Sequence, residues 1–202
     1  MKASLLKKLI VVDTETTGAN VFTNSILSYA FVPMTCDDIL EGYVDDFSGQ
    51  PWSEFAESYF RETKDEWSVK KRSASAALNA IEAYLSELSP GEDMMLVGHN
   101  VAFDRYFLER MAFEAGRSRI AGLSHRSIDT HSLLMSLSIM GLIPESATSS
   151  SGAFKYFGIS PPSSKRHTAI GDAIATRRLF SLIIENFDCS SVVPSMNGPK
   201  LG

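Results

Sequence analysis

The chain has 202 residues, 44% of them hydrophobic and 10% aromatic, with 19 basic against 24 acidic side chains and a formal net charge of −5. That length and apolar content suit one globular domain with a sizeable core and leave little room for two. The acidity excludes a broad basic footprint for indiscriminate duplex binding, and the apolar run at 9–12 is far too short to span a bilayer.

Lys2, Lys7 and Lys8 resemble the basic start of a signal peptide, but no apolar region of the required length follows them. The expectation is a soluble, cytoplasmic protein without a membrane partner. Cys36 and Cys189 form no CxxC pair, which fits a reducing compartment and gives no hint of zinc.

Residues 8–15 (KLIVVDTE) read as a strand entering the core, with a turn beginning at Gly18. A second strand is predicted over 25–33 and a third near 42–47, while 49–64, polar and aromatic, has no clear assignment. Apolar residues at Ala74, Ala77, Ile81, Tyr84, Leu85 and Leu88 predict a helix over 69–88, stopped by Pro90 and Gly91. A buried-type strand at 94–98 precedes a helix over 102–115, and a short strand at 126–129 leads into a helix over 132–140. Residues 141–165 read as loop broken by a short helix at 150–157. The last helix runs over 169–186, and the tail 190–202 lacks helical periodicity and is expected to be mobile. Strands first, then strands alternating with helices, indicate an α/β sheet with helices packed on it, in one domain over 1–189.

Asp13 and Glu15 stand two residues apart at the end of the first strand, so they share a face with Leu9 and Val11. Two carboxylates ending a buried face repel one another and lose hydration, a costly arrangement unless a cation compensates it. A strand end with Asp13 capping the turn is the plainer alternative. Asp104 falls in register with Val101, Leu108, Met111 and Ala115, on the core-facing stripe of its helix. Helix-dipole compensation explains an acid in a first turn but not one on the buried stripe. Thr168 suits an N-cap, which leaves His167 on the loop and Asp172 in the early turns, bordering the stripe Ile170, Ala173, Thr176, Phe180, Ile183 and Phe187. On one helix His167 and Asp172 would point about 140° apart, so they cooperate only if His167 precedes the helix. The spacing His-x4-Asp also occurs at His99–Asp104, so order and context carry the information rather than either pair.

Taken together, Asp13-Thr14-Glu15-Thr16-Thr17-Gly18, His99-Asn100-Val101-Ala102-Phe103-Asp104 and His167-Thr168-Ala169-Ile170-Gly171-Asp172-Ala173 resemble the three motifs of the DEDDh exonuclease superfamily, over about residues 8–186. Thr168 stands where the tyrosine branch would carry Tyr, which indicates the histidine branch. The resemblance implies an RNase H-like fold, a mixed five-stranded sheet flanked by helices, and a 3′→5′ exonuclease acting on single-stranded or frayed DNA or RNA. It further implies two divalent cations, Mg²⁺ or Mn²⁺, held by Asp13, Glu15, Asp104 and Asp172, with His167 as general base. Counting four acids as ligands leaves 20 against 19 bases, close to neutrality outside the metal site. One departure is Ile26-Leu27-Ser28-Tyr29, where many members carry Glu at a position that is not a ligand.

By the same resemblance, Phe103 and the backbone of Thr16 and Thr17 are candidates for holding the terminal nucleotide, and His99 for orienting substrate. A core Phe103 and a hydrogen-bonded structural His99 are the alternatives. Asp129 reads as a helix cap rather than a catalyst. Lys165 and Arg166 are candidate phosphate contacts, while Lys70-Lys71-Arg72 reads as solvated surface. A second reading, from another class, is a proofreading-type subunit serving mainly as a polymerase-binding module. All five motif positions are filled, which argues against a silent version of it. Oligomeric state leaves no trace in the sequence.

Overall fold

The computed structural model describes residues 2–45, 47–160 and 167–186. A short helix, α1 (Lys2–Leu6), leads into β1 (Leu9–Thr16), whose first four residues are all buried. A strand buried on both faces must be central and covered on both sides. Accordingly β1 lies in the middle of a five-stranded sheet of order β3-β2-β1-β4-β5. β2 (Ile26–Pro33) pairs antiparallel with β1, and β3 (Leu40–Tyr43) antiparallel with β2. β4 (Met94–Gly98) runs parallel to β1, and β5 (Leu123–Asp129) parallel to β4. The expected mixed five-stranded sheet is what the chain forms.

The helices are α2 (Glu54–Phe60), α3 (Lys64–Lys70), α4 (Ala74–Leu88), α5 (Val101–Glu114), α6 (Thr130–Ile139), α7 (Ser150–Tyr156) and α8 (Ala169–Asn186). One sheet face, with Ile10, Val12, Phe31 and Leu96, is buried with Leu78, Ile81 and Leu85 of α4 and Leu108 and Met111 of α5. The other, with Leu9, Val11, Ala30, Val32 and Val97, is buried with Ala169, Ala173 and Phe180 of α8. A second side of α8, Ala175, Leu179 and Ile183, packs with Leu134 and Leu137 of α6 and Phe154 of α7. The expected single stripe on α8 is therefore too narrow, because this helix is sandwiched between the sheet and two other helices. Phe187 and the tail lie outside the described residues.

Four departures from the expected elements stand out, and the first two share one long-range cause. The helix predicted over 69–88 is two helices, α3 and α4, parted where Arg72 leaves helical pairing. Its N–H donates to Tyr43 O at 3.0 Å and its carbonyl accepts from Asp45 N at 2.8 Å. The same pairing ends β3 at Tyr43 instead of carrying it to residue 47. β5 begins at Leu123 rather than 126, as a polar edge strand without apolar alternation to announce it. Within 49–64 stands α2, capped by Ser53, whose hydroxyl oxygen accepts from Ala56 N at 3.1 Å.

A separate aromatic cluster holds α2 and α3 against the sheet. Leu27, Tyr43 and Phe60 are buried there, with Trp52 and Trp67 packed on them. Trp52 meets Phe60 and Trp67 edge-on at centroid distances of 5.7 and 5.4 Å. The Trp67 indole N–H donates to Val44 O at 2.6 Å, so the polar end of the ring is satisfied as well. Phe60, 2% exposed, is the residue by which α2 enters this cluster. Phe60→Ala is expected to cost about 3–5 kcal/mol, the usual range for emptying a buried aromatic site. Urea unfolding measures it, and a loss below about 1 kcal/mol would show that α2 stands outside the cooperative unit.

Candidate active site

The carboxyl end of β1 carries the first two acids. Strand alternation puts Asp13 and Glu15 on the face covered by α8, and Thr14 on the opposite face with Ile10 and Val12. Thr14 Oγ1 donates to Asp104 Oδ1 at 2.8 Å. Asp104 occupies the first turn of α5, on a buried stripe with Val101, Leu108 and Met111, as its spacing predicts, and is only 5% exposed. Burial pushes its carboxyl up to about 7, the Thr14 hydrogen bond pulls partly the other way, and Asp129 adds a further upward push.

His167 sits ahead of α8 in a left-handed backbone conformation, φ 58°. Thr168 is the expected N-cap: its hydroxyl oxygen accepts from Gly171 N at 3.1 Å, and its carbonyl from Asp172 N at 3.0 Å. Asp172 thus lies in the first turn of α8 while His167 stays on the loop. The imidazole stacks on Tyr59 of α2, ring centroids 3.8 Å apart and tilted by 44°, and Tyr59 in turn meets Phe55 at 4.3 Å.

These elements enclose a cleft of about 490 Å³. Of the residues singled out in the sequence, Glu15, Thr16, Phe103 and His167 line it, joined by Ser53, Phe55 and Tyr59 at α2. Asp13, Asp104 and Asp172 belong to the adjoining strand and helix ends and are not in the lining. Among the described residues, no three His, Cys, Asp or Glu side chains close into a ready-made cation cage. As a donor set, four carboxylates without a thiolate suit a hard divalent cation, and the buried Asp104 carboxylate is the kind of charge such an ion would compensate.

Two expected contacts fall outside the cleft. Thr17 is fully buried, its N–H donating to Ser25 O at 2.9 Å and its carbonyl accepting from Ser53 N at 2.8 Å. Its hydroxyl oxygen accepts from Ser25 N at 2.9 Å, so its polar groups join β1 to β2 and to α2. His99 faces Thr130, with Nδ1 3.2 Å from Oγ1, and His131, ring centroids 5.4 Å apart. Burial first, and the neighbouring His131 second, lower its pKa to about 4, partly opposed by Asp129. Its Nδ1 is thus engaged within the fold, and the ring is not in the cleft lining. Asp129 caps α6, as expected, accepting from His131 N at 2.9 Å. Lys70 pairs with Glu66 and Lys71 with Asp45 on the surface, while Lys165 and Arg166 lie outside the described residues. A second cavity, of about 240 Å³, lies beside Asp93, Arg105, Arg119 and His125 and holds none of the motif residues.

Sequence reasoning missed α2 altogether. Its signal was short: Ser53 as a cap and an aromatic pair, Phe55 and Tyr59, at helical spacing. It also missed Thr14, whose place between two motif acids gave no hint of a partner ninety residues away.

The mixed sheet, with acids at the end of its central strand and at the starts of two helices beside a loop histidine, is the RNase H-like fold of exonucleases. The family follows: the RNase T model, described as Exonuclease, matches residues 10–180, and the chain belongs to that family. Membership carries a dependence on divalent metal. Among solved structures, zinc-bound E. coli exonuclease I in complex with single-stranded DNA is similar at a TM-score of 0.75 and 16% identity, over 89% of this chain and 41% of that one. The nuclease domain of 3′hExo, a DEDDh family member bound to rAMP, is similar at 0.71 and 15% identity, over 89% of this chain and 92% of that domain. At those identities the likeness is one of fold, and this chain spans well under half of the exonuclease I chain. No curated protein sequence matches it significantly.

The raised Asp104 pKa has a defined consequence for the metal-free protein. An acid titrating near 7 when folded and near 3.9 when unfolded binds more protons in the folded state between those values, so stability falls as pH rises through that window. Asp104→Asn keeps the acceptor for Thr14 and removes the charge. In EDTA it is expected to stabilise the protein increasingly from about pH 4 to 7, with a plateau above. Urea midpoints across that range measure it, and a pH-independent difference would refute the assignment.

Proposed function

We propose that this chain is a 3′→5′ exonuclease that hydrolyses nucleotides from single-stranded or frayed ends of DNA or RNA, with two divalent cations, Mg²⁺ or Mn²⁺. Asp13, Glu15, Asp104 and Asp172 are its ligands and His167 its general base. The observation that carries the reading is the cleft itself: one acid of the set, the loop histidine and three aromatic rings border the same volume. Exonuclease I has been crystallised with single-stranded DNA and the 3′hExo domain with a ribonucleotide, which supports a cleft of this fold accepting either sugar.

The bound cations would supply positive charge to the phosphate in transfer and lower the pKa of the attacking water. The chain's own part is positional. The imidazole of His167 accepts the water's proton at a ring nitrogen, and Tyr59, stacked on its face, fixes the plane of that ring. Phe103 and the exposed ring of Phe55 offer faces on which any base can stack, a contact indifferent to sequence. Thr16 is committed through its hydroxyl to Gly18 O at 2.8 Å, so it contributes surface to the cleft mainly as a rim.

Two measurements test this. Single-stranded DNA and RNA with a free 3′-hydroxyl are expected to shorten stepwise with Mg²⁺ and not in EDTA, and mismatched ends to shorten faster than paired ones, because separating the last pair costs a few kcal/mol. Cleavage from the 5′ end, or of circular single strands, would place the enzyme in another class. Separately, Asp13→Asn is expected to abolish activity and weaken metal binding. His167→Ala should bind metal like the parent and cleave about 10²–10⁴-fold more slowly, the usual worth of a general base. Unchanged calorimetric metal affinity in Asp13→Asn would count against the ligand assignment.

A further inference from the structure

The last residue of β4 and the two that follow it are gripped by the last residue of β5 and the first of α6. Gly98 pairs with Asp129 in the sheet, and its carbonyl accepts from Thr130 Oγ1 at 3.1 Å. A threonine hydroxyl has one proton, and here it goes to a carbonyl that can only accept. The 3.2 Å contact between His99 Nδ1 and Thr130 Oγ1 therefore has the imidazole donating. Asn100 follows, and its N–H donates to Asp129 Oδ1 at 2.9 Å.

Asn100 is where this grip matters. It adopts φ 64° and ψ 45°, the left-handed region, and its side chain makes no capping bond to the helix it precedes. Such a conformation costs an L residue free energy and persists only where its surroundings hold it. α5 starts at the next residue, and Phe103 N already donates back to Asn100 O at 2.9 Å. That first turn delivers Phe103 to the cleft and Asp104 to Thr14. The same Asp129 oxygen also accepts from His131 N, and Oδ2 accepts from Ser132 Oγ at 3.3 Å, so one carboxylate ties the starts of two helices together.

We propose that Asp129 is a positioning residue: by holding the left-handed turn at Asn100 it fixes the first turn of α5, and with it the placement of Phe103 and the ligand carboxylate of Asp104. Its consequence for metal rests on the reading of Asp104 as a ligand. Its consequence for the turn does not.

The experiment compares Asp129→Ala, Asp129→Asn and Ser149→Ala. The last removes an ordinary cap, since Ser149 Oγ accepts from Gly152 N at 3.2 Å at the start of α7, and serves as the control for capping alone. In Asp129→Ala, amide hydrogen exchange over residues 100–104 is expected to speed up, and calorimetric Mn²⁺ affinity to fall by about 10–100-fold, the usual effect of losing a group that orients a ligand. Asp129→Asn keeps an acceptor oxygen and should restore both towards the parent. Ser149→Ala should leave both unchanged while lowering the melting temperature. Should Asp129→Ala not fold, Asp129→Ser, which keeps a capping oxygen for α6 on a side chain one atom shorter and so weakens the bond from Asn100 N, is read the same way. Exchange changes confined to α6 would overturn the proposal and leave Asp129 as a cap alone. Parent protein that binds no Mn²⁺ would instead refute the ligand reading, and the exchange data would still decide the turn.

Discussion

The bond from Thr14 to Asp104 is the constraint on which the site depends. β1 and β4 run parallel, with Val11 opposite Val97, so β4 ends close to where the acids of β1 begin. α5 must then start at once, and its first turn brings Asp104 against Thr14. The balance of that arrangement is unfavourable on its own. A hydrogen bond to a charged group returns about 1.5–3 kcal/mol, whereas burying a carboxylate without a cation costs several. The upward shift of the Asp104 pKa expresses the same imbalance. A core that needed only stability would carry an apolar residue on that stripe, and the acid is retained at a cost that a cation can offset.

What was legible in the sequence was whatever short-range periodicity dictates. The alternation through Leu9, Val11, Asp13 and Glu15, the buried stripe bearing Asp104, and Thr168 as a cap with His167 outside the helix each follow from one element's own geometry. What was hidden depends on partners far along the chain. The break between α3 and α4 exists because Arg72 pairs with Tyr43 and Asp45. The polar edge strand β5 carries no alternation, and Arg105 of α5 donates to two of its carbonyls, Ser124 O at 3.0 Å and Arg126 O at 2.9 Å. Thr17 and His99 stand near motif acids in sequence, but Ser25 and Ser53 engage Thr17, and Thr130 engages His99 Nδ1, away from the cleft lining.

The seven-residue α2 shows how strongly tertiary packing can override local propensity. A helix this short is marginal alone. It is held by Phe60 on one side, in the aromatic cluster of Trp52 and Trp67, and presents Phe55 and Tyr59 on the other. Phe55 remains 69% exposed, an unusual placement for a ring beside a well-packed cluster. On the proposed function its position on the cleft wall would give that exposure a use, since a base stacked on an aromatic face contributes about 1–3 kcal/mol without reading sequence.

The charge and the shape of the cleft then belong to one argument. An acidic chain cannot hold a duplex by neutralising many phosphates, and among the described residues Lys70 and Lys71 are already paired with Glu66 and Asp45. On the proposed function, affinity for nucleic acid would draw on the rings that line the cleft among the described residues. Rings can stack only on bases that have left their own stack, which single strands and frayed ends provide. Tyr59 belongs to this aromatic wall and also lies against His167. On the proposed function, the wall that would receive the base would also orient the imidazole that would take the proton, and the same short helix would set both substrate form and chemistry.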